Sequence, residues 1–214
     1  MKIIYLHGFA SSPSSQKAKF FKKNLSGYDI IVPDLNCGNF TNMTITKQIE
    51  IIKDIMKTNP KEKYILIGSS MGGYVSLLCM HLISQEKIFK NIHKLVLLAP
   101  ALEFTKRILR KDKEKFQKWK KEGYIEIEHY AWKKTLPLNF LFYIDAKTYE
   151  KLEFTREIPV LIFHGVYDEV VPYEVSLKYL KQNSLSHLVL LNSDHSLLNS
   201  LNTILTYTQQ FLRL

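Results

Sequence analysis

The sequence predicts an α/β protein with a mostly parallel six-stranded sheet, helices on both faces and an insertion after the fourth strand. Three observations predict it. Six short, nearly continuous apolar runs recur along the 214 residues. Most are separated by segments whose apolar residues repeat at helical spacing, the signature of βαβ units with strands buried on both faces. Finally, the residues just after these runs are small, polar or reactive. In open parallel sheets, ligands bind beyond the carboxyl ends of the strands.

The first run, residues 2–6, is followed by the small-residue loop His7-Gly8-Phe9-Ala10-Ser11-Ser12-Pro13. Ser15 can cap a helix from Gln16 to Leu25, with Ala18, Phe21 and Leu25 on one face. Asp29 to Val32 is the second run, ended by Pro33-Asp34, and 37–44 reads as loop. Thr44 or Thr46 can start a helix carrying Ile45, Ile49, Ile52 and Met56, which Asn59-Pro60 stops. Lys63 to Ile67 is the third run. It leads into Gly68-Ser69-Ser70-Met71-Gly72 and the long apolar segment Tyr74 to Ile83. Leu95 to Ala99 is the fourth run and Val160 to Phe163 the fifth, followed by a helix over 173–181. Leu188 to Leu191 is the sixth, and an amphipathic helix over 197–212 follows it.

Residues 101–157 break this rhythm. They read as helix, then as an alternating strand over 124–130 that pairs with a partner around Leu136-Pro137-Leu138, then as helix again over 140–150. An insertion at this point lies over the strand ends, which makes it a candidate lid on a single domain of residues 1–214. Most of its many aromatic side chains are expected to form a satellite core, with a few left to line an apolar acyl pocket.

With 46% hydrophobic and 23% charged residues, the chain can bury a sizeable core. The apolar segment at 74–83 is too short to span a bilayer. The N-terminus lacks the apolar length of a secretory signal. Cys37 and Cys79 show no metal-like spacing, and Cys79 is expected as a buried free thiol. These features point to the cytoplasm. The net charge of +10 raises the possibility of nucleic-acid or anionic-membrane binding. Residues 103–134 hold eleven Lys or Arg against six Asp or Glu, mixed in sign over a helical pattern. That is the pattern of a solvated helix face. No nucleic-acid motif accompanies it, and no nucleic-acid partner is expected.

Gly68-x-Ser70-x-Gly72 between an apolar strand and a helix is the pattern of a nucleophile elbow, where a sharp turn exposes a serine hydroxyl above a sheet. A serine hydroxyl needs a histidine to take its proton and an acid to orient that imidazole. Of seven histidines, His195 alone follows the sixth run; His164 and His7 are better placed to brace loops. The acid should follow a strand between serine and histidine, where Asp168 fits. Glu169 is the neighbouring alternative. Asp194 is a third, at an awkward angle because it adjoins His195. Backbone N–H groups must meet the developing oxyanion, and Met71 and Phe9 stand where they are needed.

The order of strand, His-Gly, G-x-S-x-G, insertion, Asp and His resembles the α/β-hydrolase fold. The stretch Tyr5-Leu6-His7-Gly8-Phe9-Ala10-Ser11-Ser12-Pro13-Ser14-Ser15-Gln16-Lys17-Ala18, taken with Gly68-Ser69-Ser70-Met71-Gly72-Gly73, resembles more narrowly the small YqiA-type esterases. The core is also similar to small acyl-protein and acyl-thioester hydrolases. The resemblance implies that the chain begins at the third strand of the full fold. It implies Ser70 as nucleophile, Asp168 as acid, His195 as base, and Phe9 and Met71 as oxyanion donors, on a carboxylic ester or thioester. No cofactor or metal is expected. The alternative is a non-catalytic small-molecule-binding protein on the same fold.

Overall fold

Alternation within the six apolar runs decides which face of the sheet each residue serves. The structure, a computed structural model, describes residues 1–82, 85–152, 154 and 156–213, without the side chains of 109–111. Ile83 and the Leu109 side chain therefore lie outside the described residues. In chain order the elements are β1 (Lys2–Leu6), α1 (Gln16–Asn24), β2 (Asp29–Ile31), α2 (Ile45–Thr58), β3 (Tyr64–Ser69), α3 (Met71–His81), β4 (Ile92–Leu98), α4 (Phe104–Lys111), α5 (Lys113–Glu122), β5 (Tyr124–His129), β6 (Lys134–Asn139), α6 (Leu141–Thr148), β7 (Val160–Gly165), α7 (Glu174–Leu180), β8 (Ser186–Leu191) and α8 (Leu201–Arg213).

Six strands pair in the order β2-β1-β3-β4-β7-β8, and each pairing is parallel. The chain steps outward from β1 to β2 and then back past β1 to β3. The carboxyl ends of β1 and β3 therefore flank the topological switch point, where a parallel sheet opens a crevice. Ile4, Leu6, Leu66, Leu95, Leu97, Val160 and Ile162 pack on one face, with α2 and α3. Ile3, Tyr5, Ile65, Ile67, Val96, Leu98, Leu161 and Phe163 pack on the other, with α1 and α8. Two buried faces explain why these strands are continuously apolar rather than alternating.

Helix α3 is buried along its whole length, so it carries no polar face. It lies against β1 and β3 so closely that side chains are excluded at the crossing. A Cβ on Gly72 would sit 2.2 Å from the Leu6 carbonyl oxygen and 2.7 Å from that of His7, and one on Gly68 would sit 2.4 Å from the Gly72 oxygen. Both obstacles are backbone, which cannot rotate away. Gly72→Ala is expected to destabilise the fold by about 3 kcal/mol or more. A lower urea midpoint at unchanged slope is the signature to look for.

Residues 101–157 do not form a satellite core, as their sequence led us to expect. Phe104, Phe116, Trp119, Leu138, Phe142 and Tyr143 join the main cluster on the α3 face of the sheet. Helices α4 and α5 are broken at Asp112, whose carboxylate accepts the Lys115 N–H as the α5 cap. The charged residues of α5 stay in solvent while Phe116 and Trp119 turn inward. β5 and β6 form the expected antiparallel hairpin, tied to α5 by the Trp119 indole N–H donating to Leu138 O at 2.9 Å. Asp145 on α6 accepts the Thr46 N–H at 2.9 Å in the first turn of α2, where the helix dipole favours a carboxylate. The insertion is pinned to the core at its last helix by that bond, and at its hairpin by His129 Nε2, 3.3 Å from Asn36 Oδ1.

Two boundaries differ from expectation. β4 begins at Ile92 rather than Leu95, because exposed His93 and the Lys94 ammonium, bonded to Phe211 O, interrupt the apolar pattern. α8 begins at Leu201, since Leu197 adopts φ 58° and a single 3₁₀ turn follows.

Cys79 is a buried free thiol, and Cys37 is free and half-buried. No described helix is long and apolar enough to cross a membrane. His81 is buried on α3. Its Nδ1 accepts the Arg156 N–H, and its Nε2 meets no partner among the described residues. Burial, with the Arg156 charge nearby, pushes its pKa down to about 4. The unfolded chain binds a proton near pH 6.5 that the folded chain refuses until about 4. Stability is therefore full above pH 6.5 and drains as the pH falls toward 4, by on the order of 2 kcal/mol from this group. Urea unfolding at pH 7.5 and 4.5 should show a smaller loss in His81→Gln than in the native chain.

Candidate active site

The site starts from one strained residue. Ser70 follows β3 directly and has φ 52° and ψ −113°, a conformation that side chains rarely adopt. Backbone bonds hold it there. Its N–H donates to Leu98 O at 2.8 Å, and its carbonyl accepts from Tyr74 N at 3.1 Å and Ala101 N at 3.0 Å. Such strain persists only where the surroundings over-determine it. The result is a hydroxyl aimed at His195: Ser70 Oγ lies 3.0 Å from His195 Nε2.

His195 sits in the loop after β8, and its Nδ1 lies 2.7 Å from Asp168 Oδ2. Asp168 sits in the loop after β7 with its side chain fully buried. Its other oxygen, Oδ1, accepts the N–H groups of Val170 at 2.9 Å and Val171 at 2.7 Å. Burial alone would raise its pKa. Hydrogen bonds from His164, His195 and the Val171 N–H overcome that and hold the carboxyl well below the usual carboxylate range. An ionised Asp168 accepts from Nδ1–H, which leaves Nε2 free to take a proton from Ser70.

Glu169 is exposed in the same loop. Asp194 is occupied elsewhere, accepting from Ser196 N at 2.9 Å, Ser196 Oγ at 2.6 Å and Leu197 N at 3.3 Å, and so shapes the turn that carries His195. Of the three acids considered, Asp168 is the one bonded to the imidazole.

His164 braces the acid loop. Its Nε2 donates to Val171 O at 2.9 Å and lies 3.2 Å from Asp168 Oδ2, and its Nδ1 accepts from the Ser176 hydroxyl at 2.8 Å. The sequence assigned no separate role to Gly165. A Cβ there would sit 2.3 Å from Ser193 O and 2.5 Å from Asp194 O, so its small size lets the acid loop and the histidine loop touch. The only signal for it was its place at the end of an apolar run.

His7 braces the loop after β1. Its Nδ1–H donates to Gly8 O at 2.9 Å, and its Nε2 accepts the Leu35 N–H at 3.0 Å. The turn in that loop is made at Ala10, with φ 52°. Phe9 and Met71 both border the cavity at Ser70. Among the described residues, neither backbone N–H donates a hydrogen bond.

Two cavities meet at Ser70. One, of about 540 Å³, runs beneath the insertion and is lined by Phe104, Phe116, Trp119, Leu138 and Phe142. The other, of about 820 Å³, opens on the opposite side, where His195, Lys17 and Glu169 line it. No group of three or more His, Cys, Asp or Glu that could hold a metal occurs among the described residues.

Comparison with known proteins adds a family and a fold. The model of the uncharacterised protein family UPF0227 matches residues 2–212. The protein "Putative esterase/lipase 3" of Mycoplasma genitalium is 28% identical over 232 residues, covering 92% of this chain and 81% of that one. A solved structure of a "Putative hydrolase" from Agrobacterium vitis S4 superposes with a TM-score of 0.84 at 24% identity, over 98% of this chain and 87% of that one. Alpha/beta hydrolase domain-containing protein 10 from mouse gives 0.79 at 19% identity, over 99% and 89%. At these identities the structural likenesses establish the fold, which is the α/β-hydrolase fold.

Proposed function

The chain belongs to the UPF0227 family, and within it we propose that this protein is a serine hydrolase of carboxylic esters or thioesters. The observation that carries the reading is the unbroken relay from Ser70 Oγ to His195 Nε2, at 3.0 Å, and from His195 Nδ1 to Asp168 Oδ2, at 2.7 Å. Ser70 attacks the acyl carbonyl, and His195 takes its proton and returns it to the leaving group. Asp168 fixes the tautomer and steadies the imidazolium. The free N–H groups of Phe9 and Met71, the latter at the positive end of α3, receive the oxyanion. Water then repeats the sequence on the acyl-enzyme. Residues 101–157 act as a cap, and the apolar cavity beneath them takes the acyl chain. The printed name of the Mycoplasma genitalium relative supports an ester substrate.

The purified protein is expected to hydrolyse a p-nitrophenyl ester and to react with a fluorophosphonate probe, with the adduct mapped by mass spectrometry to Ser70. Absence of both, with retained ligand binding, would establish the non-catalytic alternative. Trp119→Ala should shift the preferred acyl chain to longer lengths by enlarging the cavity, read as kcat/KM across a chain-length series.

A further inference from the structure

The two cavities at Ser70 divide the substrate between them, and the division rests on the proposed serine chemistry. A leaving group must receive its proton from His195 Nε2. His195 lines the larger cleft and does not line the cavity under the insertion. The acyl chain therefore goes under the insertion and the leaving group into the cleft.

The chemistry of the cleft then specifies what leaves. Lys17 lies on its wall, and among the described residues its ammonium makes one hydrogen bond, to Ser196 O at 2.8 Å. An ammonium has three donors, so two remain for a ligand. Ser11 and Ser15 line the same cleft, as do the carboxylates of Glu169 and of Asp194, whose Oδ1 is taken by its own turn. One cation faces two carboxylates, so an anionic group is not favoured. Donors and acceptors are interleaved, which matches hydroxyl groups, since each of them both gives and accepts.

We infer that this cleft is a leaving-group subsite for a polyhydroxylated alcohol, glycerol-like or sugar-like, so that the preferred substrates are partial acyl esters of polyols. In acylation the bond from Ser70 Oγ to the acyl carbon forms and the bond from that carbon to the polyol oxygen breaks. The Ser70 proton passes through His195 Nε2 to the departing oxygen. Water then cleaves the acyl-enzyme and releases the acid. Burial pushes the Lys17 pKa down to about 8, against the pull of Asp194 and Asp168, which fits a side chain set in a cavity wall rather than in open solvent.

The test compares esters of one medium-chain acid with glycerol, glucose, glycerol phosphate and ethanol. All share one acyl-enzyme, so kcat/KM reports the leaving-group side alone. The glycerol or glucose ester should exceed the ethyl ester by at least about 10-fold, and which of the two is faster identifies the polyol. Lys17→Met and, independently, Glu169→Ala should each cut that ratio several-fold; the second changes an exposed side chain on the cleft and leaves the packing intact. Equal rates for polyol and ethyl esters, a ratio unmoved in both variants, or a preference for the glycerol phosphate ester would overturn the inference. If fluorophosphonate fails to label Ser70 and no ester is cleaved, the serine-hydrolase reading falls with it. Labelling with p-nitrophenyl ester turnover but no polyol preference sinks the subsite alone.

Discussion

Ser70→Ala is expected to lower kcat for ester hydrolysis by about 10⁶-fold and to abolish fluorophosphonate labelling, while the protein remains folded. The size follows from how the relay works. Without Oγ, His195 Nε2 has no proton to accept and Asp168 no cation to steady, so one deletion disables three groups. His195→Ala should cost about as much, and the double variant hardly more, because groups acting as a unit are not additive. Residual catalysis above water would come from binding and from the backbone donors at Phe9 and Met71. Alanine retains a Cβ, so it retains the strain at φ 52°. Ser70→Gly should remove activity equally yet be the more stable of the two by about 1 kcal/mol, since glycine adopts that conformation freely. Paired urea curves would test it, and equal midpoints would count against stored strain.

Asp168→Asn should cost about 10⁴-fold in kcat, by reversing a tautomer rather than by removing a charge. The surroundings dictate how the amide must sit. Val170 and Val171 present two N–H donors to Oδ1, so the asparagine oxygen takes that place. Its NH₂ group then faces His195 Nδ1, where Oδ2 stood at 2.7 Å. A donor facing Nδ1 makes that nitrogen the acceptor and puts the proton on Nε2, where it blocks transfer from Ser70. His164 loses little, because Val171 O still accepts its Nε2–H. The variant should therefore fold, bind substrate with nearly unchanged affinity and fail in the chemical step. A rise in KM with kcat preserved would contradict this account.

The strands, the long buried helix, the elbow and the chain order of Ser70, Asp168 and His195 were legible because they rest on local pattern. Burial on two faces writes a continuous apolar run, and an elbow writes its glycines, wherever the segment ends up in space. The hairpin at 124–139 was legible for the same reason, from strict alternation after Gly123. Its destination was not, because nothing in residues 101–157 states that their aromatics join the main core and wall the cavity at Ser70.

What the sequence by itself determined was therefore an α/β sheet, a serine at the carboxyl end of a strand and a short set of acids and bases at the same edge. Only the tertiary structure shows which of Asp168, Glu169 and Asp194 is hydrogen-bonded to the imidazole, because the distance from a carboxylate to an imidazole depends on two loops 27 residues apart in sequence. It also showed why Gly165 is needed, since the conflict there is with backbone on another strand's loop. And it separated the cavity under the insertion from the cleft beside His195, both reaching Ser70, a distinction set by which walls converge and which no single segment of the chain encodes.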